Sequence, residues 1–183
     1  MKLDLSFWTN ASSKRKRIYS TIIILAIGVF LLFMGSLVRL SPQYAKQITN
    51  NVNQTHPQHQ FTAKNTAIIF SHNLFICLME FVPVIGPIWG FVSFFLTGIG
   101  ISAISIVKGH PPILVLMTLS IFPFTWLEFA SYSIAIAESI WLFRRLLQGR
   151  WRELKNTAIL IGICAILLLI AATVEMWLIS IGV

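Results

Sequence analysis

The sequence predicts an all-α fold, a polytopic bundle of membrane helices, and three observations carry this prediction. Of 183 residues, 56% are hydrophobic and 11% are charged, against roughly 25% charged in soluble domains. The mean hydropathy is +0.80, and the apolar runs are long enough for membrane helices rather than barrel strands. Ten of the fourteen Lys and Arg residues flank two of these runs, as the positive-inside rule expects of cytoplasmic segments.

The two basic clusters set the expected orientation in the cell membrane. Residues 1–17 form a basic cytoplasmic N-terminus, and residues 144–155 form a basic cytoplasmic linker, expected to contain a short amphipathic helix at the interface. Residues 18–183, which include this linker, are predicted to be a single transmembrane domain with the C-terminus external. The net charge of +8 follows from this bias, so we expect the lipid bilayer rather than nucleic acid as a partner.

About five transmembrane segments account for the apolar runs, namely residues 18–40, 66–82, 88–107, 113–143 and 157–181. The first run is longer than the apolar region of a signal peptide, so we expect it to be a membrane anchor. The fourth run exceeds the roughly 20 residues needed to span a bilayer. We therefore expect either one kinked helix or, preferably, a half-helix followed by a span.

A polar stretch, residues 41–64, is predicted to be an external loop because it is rich in Gln and Asn. It contains a glycosylation sequon at Asn53, although such triplets also arise by chance. His56 and His59 lie three residues apart in the same stretch. We expect them to be solvated rather than to hold a metal.

Prolines predict the interruptions of the helices. The segment PVIGP at residues 83–87 predicts a tight turn or a broken, re-entrant helix, and Pro123 predicts a second break, because proline removes a backbone donor. Gly86 and Gly90 are separated by four positions. This small-residue spacing favours close approach of helix backbones in a membrane.

Four of the six acids lie in apolar runs, where an acidic side chain is costly and usually faces protein. Glu128 and Glu138 share a helix face with small and polar residues, but about 15 Å of helical rise separates them, so they cannot form an intimate pair. Glu80 and Glu138 lie near segment ends and could reach the interface. We therefore expect Glu128 and Glu175 to be the most deeply buried acids.

The candidate intramembrane polar site consists of the residues Glu128, Glu175, Glu80, His72 and Asn73, with Pro123 as the helix break beside it. Four roles remain open for this set. It could relay ions or protons, hold a metal with His72, line a substrate pocket, or fasten helices together through hydrogen bonds.

No enzymatic signature accompanies these residues. The sequence contains no GxSxG, HExxH or Walker motif, and no GxGxxG in a strand–turn–helix context. We therefore expect a protein that is not an enzyme, with no catalytic residues, cofactor or metal. Cys77 and Cys164 lie in apolar runs without metal-ligand spacing and are expected to be small buried hydrophobes.

Three features resemble the stage II sporulation protein M family of small membrane proteins. They are Asn73 within FSHNLFICL, the proline-led motif PFTWLE that ends at Glu128, and Glu175 within LIAATVEMW. The family usually shows Pro-His-Gly-x-x-Glu, so Phe124 and Thr125 depart from its pattern. Gly98 and Gly100 agree with its glycine-rich third segment.

The resemblance spans roughly residues 15–183 and implies a compact helical module with a conspicuous buried glutamate. Sporulating members of the family look like scaffolds that join wall-degrading partners, but archaeal-type members have no such partners. We therefore expect a scaffold or accessory subunit of a larger membrane complex, with other membrane subunits or copies of itself as partners. The alternative is a small ion- or proton-coupled transporter or channel that uses the intramembrane glutamates.

Overall fold

The computed structural model describes residues 13–55 and 61–181, with side chains for residues 15–52 and 61–181. Within these ranges the chain is helical and contains no strand, so the predicted fold class is confirmed. The helices are α1 (Ser13–Ser36), α2 (Pro42–Thr55), α3 (Ala63–Glu80), α4 (Ile85–Lys108), α5 (Pro112–Ile121), α6 (Pro123–Leu147) and α7 (Glu153–Ser180). The side chain of Asn53, together with His56 and His59, lies outside the described residues.

In the described part of the chain, three helices, α1, α4 and α7, are long and apolar enough to cross a membrane. Helices α5 and α6 reach this criterion together and make a fourth span if they are one broken segment. The sequence predicted about five segments. The difference is α3, whose 18 residues include polar groups such as Lys64, His72 and Glu80, which lower its apolarity.

The stretch predicted to be an external loop is largely helical, because α2 occupies residues 42–55. Ser41 precedes this helix and its Oγ accepts a hydrogen bond from the backbone N–H of Tyr44 at 3.4 Å, while Pro42 takes the first helical position. Ala45 and Thr49 are buried four residues apart. The polar stretch is therefore an amphipathic helix that packs on α4.

Both predicted breaks are present. Between α3 and α4 the chain turns through residues 81–84, and Val84 has a positive φ of 71°, a strained conformation for a β-branched residue. Between α5 and α6 the helix axes bend by 89°. The break preferred from the sequence is thus confirmed.

The bend at Pro123 is stabilised by side chains that follow it. Thr125 Oγ1 donates to the carbonyl of Leu119 at 2.9 Å, and Trp126 Nε1 donates to the carbonyl of Ser120 at 2.8 Å. Both carbonyls lie in the last turn of α5, where a helix runs out of its own backbone donors. Thr125, one of the departures from the family pattern, is therefore a capping residue here.

The predicted basic linker does not form a separate interfacial helix, and that expectation is wrong. Helix α6 instead continues through Arg144 and Arg145, the first residues of that linker, to Leu147, and α7 begins at Glu153. The short connection turns at Gly149, whose φ of 71° lies in the region that glycine adopts without strain. We call this end of the bundle, where α1 begins, α6 ends and α7 begins, the basic end.

Close backbone contacts hold the bundle together. A Cβ added to Gly98 would lie 2.9 Å from the Cα of Gly35 and would also overlap the carbonyl of Leu32, so α1 and α4 cross at two glycines. Helices α3, α6 and α7 pack against one another, and α3 and α6 also contact α4. The candidate site lies among these three helices and α4.

Candidate intramembrane polar site

Asn73, Glu128 and Glu175 meet where α3, α6 and α7 converge, and we call them the three-helix cluster. Asn73 is buried, and its Nδ2 donates to Glu128 Oε1 at 2.5 Å. Glu175 lies within electrostatic range of Glu128 and is 7% exposed. These are the three residues that carry the family resemblance. Their convergence could not be read from the sequence, in which they are 55 and 47 positions apart.

Cys77 and Cys164 lie next along the same three helices. Both are buried, as predicted, and both Sγ atoms approach the carbonyl oxygen of Ser131, at 4.0 Å and 3.7 Å. Sulfur is a weak donor, so these contacts add packing and a modest polar attraction. Neighbouring Tyr132 lies within electrostatic range of Glu128 and also of Glu80.

Glu80 is the most enclosed acid of the chain's described part, with 0% of its side chain exposed. It is the last residue of α3, a position from which it could have reached the interface, but it is buried instead. Phe81, the first residue of the turn that follows, is buried as well. Neither carboxyl oxygen of Glu80 has a hydrogen-bond partner among the described residues.

Two glycines of α4 leave the space that Glu80 occupies. A Cβ on Gly86 would overlap the backbone carbonyl of Glu80 and lie 2.7 Å from Ser139 Oγ, and a Cβ on Gly90 would lie 3.2 Å from Glu80 Oε1 and overlap Ile136. Gly86 and Gly90 therefore allow close packing, as their spacing predicted. Ser139 donates to the carbonyl of Val82 at 2.8 Å, which fixes the turn above Glu80.

Glu138 belongs to a different environment, close to the basic end. It is 2% exposed, accepts a hydrogen bond from Thr157 Oγ1 at 2.9 Å, and lies 3.6 Å from the guanidinium of Arg17. A buried carboxylate with a cation and a hydroxyl donor is the arrangement that burial of charge requires. Glu138 is therefore close to basic residues as anticipated, but its ion-pair partner comes from α1.

Glu153 is the centre of the ion-pair network at the basic end, and the sequence did not single it out. It bonds to Arg145, to Arg17 at 3.3 Å and to Arg150 at 3.1 Å. Asn156 also donates to it at 3.0 Å. Arg17 and Glu153 are 136 positions apart, so no local pattern could have indicated their pairing.

His72 does not join the glutamates as a metal ligand. Its side chain is exposed, whereas that of the adjacent Asn73 is buried. Within residues 13–55 and 61–181, no group of three or more His, Cys, Asp or Glu side chains could hold a metal ion.

The structure thus divides the predicted polar site into two parts. Asn73, Glu128 and Glu175 meet in the three-helix cluster. Glu80 lies apart from them, in a slot that Gly86 and Gly90 of α4 leave open. Of the two acids expected to be most buried, Glu175 is buried and Glu128 is half-buried, whereas Glu80 and Glu138 are more enclosed than either. The helix face that carries Glu128, Ser131, Ala135 and Glu138 does turn inward as predicted, since three of these four residues are buried.

Comparisons with protein-family models, with curated proteins and with solved structures find no match to this chain. The relation to the stage II sporulation protein M family stays a prediction from the motifs.

Proposed function

We propose that the chain is a non-enzymatic multipass protein of the cell membrane that acts as a scaffold or accessory subunit of a larger membrane complex. In this proposal the basic end faces the cytoplasm and the C-terminus is external. The polar groups fasten the helices, so that the bundle presents a fixed outer surface to partner helices.

The observation that carries this proposal is the outer face of α7. Ala158 and Gly162 are exposed four residues apart on this helix, and a Cβ built on Gly162 meets no atom within 4 Å. Small residues at this spacing let a second membrane helix approach closely. Ile159, Ile163 and Ile166 are also exposed and lie beside the small pair on the same surface of α7, where they provide apolar contacts.

Internal fastening supports the same proposal. The hydrogen bond from Asn73 to Glu128 joins α3 to α6, and the hydrogen bond from Thr157 to Glu138 joins α7 to α6. Bonds of this kind between membrane helices contribute about 0.6 to 2 kcal/mol each. Two of the four intramembrane acids are therefore committed to holding helices together.

Assembly in native membranes tests the proposal. A photo-crosslinking amino acid at Ile163 should give one discrete adduct, with either another subunit or a second copy of the chain. Gly162→Leu fills open space, so it should leave the bundle folded but abolish the adduct and the co-purified complex. The matched control is Thr97→Leu, on the exposed face of α4. A folded monomer that yields no adduct from Ile163 in native membranes would contradict the proposal.

We infer a second candidate function, ion- or proton-coupled transport, from Glu80. An ionised carboxylate enclosed without a partner is very costly, so this group requires either a proton or a compensating cation. Tyr132 of α6 lies in electrostatic range of Glu80 of α3 and of Glu128 of α6, so polar groups of both helices lie near one another. Intramembrane acids of this kind are common in ion and proton pathways.

Flux measurements distinguish the two functions. Under the transport function, vesicles containing the protein should dissipate an imposed proton or cation gradient, and Glu80→Gln and Glu128→Gln should each reduce that flux at least tenfold. Lys108→Gln, at the exposed end of α4, is the control for loss of a charge. Wild-type vesicles as tight as empty ones across a panel of monovalent and divalent cations would exclude this second function.

A further inference from the structure

The basic end contains a cleft of about 530 Å³ between α1 and α6, within the range of sites that hold small ligands. Its charged lining is entirely basic and consists of Lys16, Arg144, Arg145 and Arg150. The polar glutamate site lies elsewhere in the bundle. The cleft is therefore a separate feature, and the proposed function makes no use of it.

The floor of the cleft is held rigidly. Trp141 Nε1 donates to Ser20 Oγ at 3.1 Å, and Ser20 Oγ in turn donates to the carbonyl of Lys16 at 2.8 Å, so α6 is tied to α1 directly beneath the basic groups. The guanidinium carbon of Arg145 lies 5.8 Å from the centroid of the Trp141 ring. Contacts within the bundle thus hold Ser20, Trp141 and Arg145 in place at the cleft.

Positive charge remains after the internal ion pairs are counted. Glu153 engages Arg17, Arg145 and Arg150, and Glu138 also lies beside Arg17, so two carboxylates serve three guanidinium groups. Arg144 is exposed and has no ion-pair or hydrogen-bond partner among the described residues. At Arg144 the cleft consequently presents a guanidinium group to which an anionic group would be attracted.

Apolar residues continue the cleft toward the membrane. Ala137 and Ile140 form part of its wall, and Ile140, in the membrane-facing part of α6, is 46% exposed. A tryptophan beside a row of basic residues is also typical of the membrane–water interface. A ligand that fits both parts has an anionic phosphate at one end and a hydrocarbon chain at the other.

We propose that this cleft binds the headgroup of an anionic phospholipid, with the phosphate at Arg144 and Arg150 and the start of one acyl chain along Ile140. Basic pockets between membrane helices at such an interface suit anionic headgroups. A free phosphate ion would offer the same anionic group to the arginines. Only a lipid also has an acyl chain that contacts Ile140.

The test uses the full-length protein in mild detergent, with phosphatidylglycerol and phosphatidylcholine of identical acyl chains as probes. Phosphatidylglycerol should raise the thermal midpoint and stay bound in native mass spectrometry, and phosphatidylcholine should do neither. Arg144→Gln should weaken phosphatidylglycerol retention about fivefold, the effect of removing one basic residue near a membrane surface. Ile140→Ser should also weaken it, because it removes the acyl contact.

Arg152→Gln is the matched control, since Arg152 is exposed at the same end but does not line the cleft, and it should retain the wild-type response. Equal losses in Arg144→Gln and Arg152→Gln would overturn the proposal in favour of general surface charge. Equal responses to the two lipids would also overturn it. Stabilisation by inorganic phosphate or glycerol phosphate as large as that by the lipid would assign the cleft to a soluble anion instead.

Discussion

Glu80 and Glu138 are two carboxyl groups at similar burial, 0% and 2% exposed, in very different surroundings. Glu138 has Thr157 and Arg17 as partners, whereas Glu80 has no hydrogen-bond partner among the described residues. Burial therefore does not define the role of an intramembrane acid. The partner does, because a compensated carboxylate fastens helices and an uncompensated one costs stability unless it serves chemistry.

The largest expected loss of stability follows from removing the cation that lies beside Glu138. Arg17→Ala leaves a buried carboxylate with only a hydroxyl donor, and it also removes one partner of Glu153. We expect the free energy of unfolding to fall by about 3 kcal/mol, measured by reversible denaturation in mixed detergent micelles. Arg152→Ala, which removes an exposed charge at the same end, should change it by less than about 0.5 kcal/mol. A small loss in Arg17→Ala would show that Glu138 does not depend on the ion pair.

The slot around Glu80 gives the next largest effect. In Gly90→Ala the new methyl group overlaps Ile136 and approaches Glu80 Oε1, so we expect a loss of about 2 kcal/mol from overpacking. Gly162→Ala is the matched control, because its Cβ meets open space. If both alanine variants melt at the wild-type temperature, α4 does not approach α6 as closely as described.

The smallest loss of stability is expected for a substitution in the three-helix cluster. Asn73→Ala removes the donor to Glu128, and we expect a loss of about 1 to 2 kcal/mol, which is the cost of leaving a polar group without its partner. Ser71→Ala, two residues earlier on an exposed position, should cost less than about 0.5 kcal/mol. The measurement is the thermal midpoint in the same detergent. Equal midpoints for Asn73→Ala and Ser71→Ala would remove Asn73 from the set of fastening residues.

Local signals in the sequence predict much of this fold. Long apolar runs predict the membrane helices, prolines predict the breaks at residues 83–87 and Pro123, and the spacing of Gly86 and Gly90 predicts close packing. Helix α2 could also have been predicted, since Ser41 and Pro42 form a helix start and Ala45 and Thr49 repeat at helical spacing. The high Gln and Asn content concealed that pattern.

The site was less predictable because its contacts are long-range. Asn73 and Glu128 could be selected singly as polar residues in apolar runs, but their contact depends on how three helices pack. The enclosure of Glu80 depends on a turn that folds back and on a slot in another helix. The pairing of Arg17 with Glu153 joins the first helix to the start of the last one, 136 positions away, and no local pattern indicates such a pairing.

The most direct test replaces each of the two contrasted acids by a residue of similar volume without charge. Glu138→Met removes the partner of Arg17 and Thr157, so the free energy of unfolding should fall by about 2 to 3 kcal/mol. Glu80→Met removes a carboxyl group that has no partner, so the free energy of unfolding should rise by about 1 kcal/mol. Opposite signs in one detergent are the predicted result. A loss of stability in Glu80→Met as large as that in Glu138→Met would contradict the distinction between the two acids.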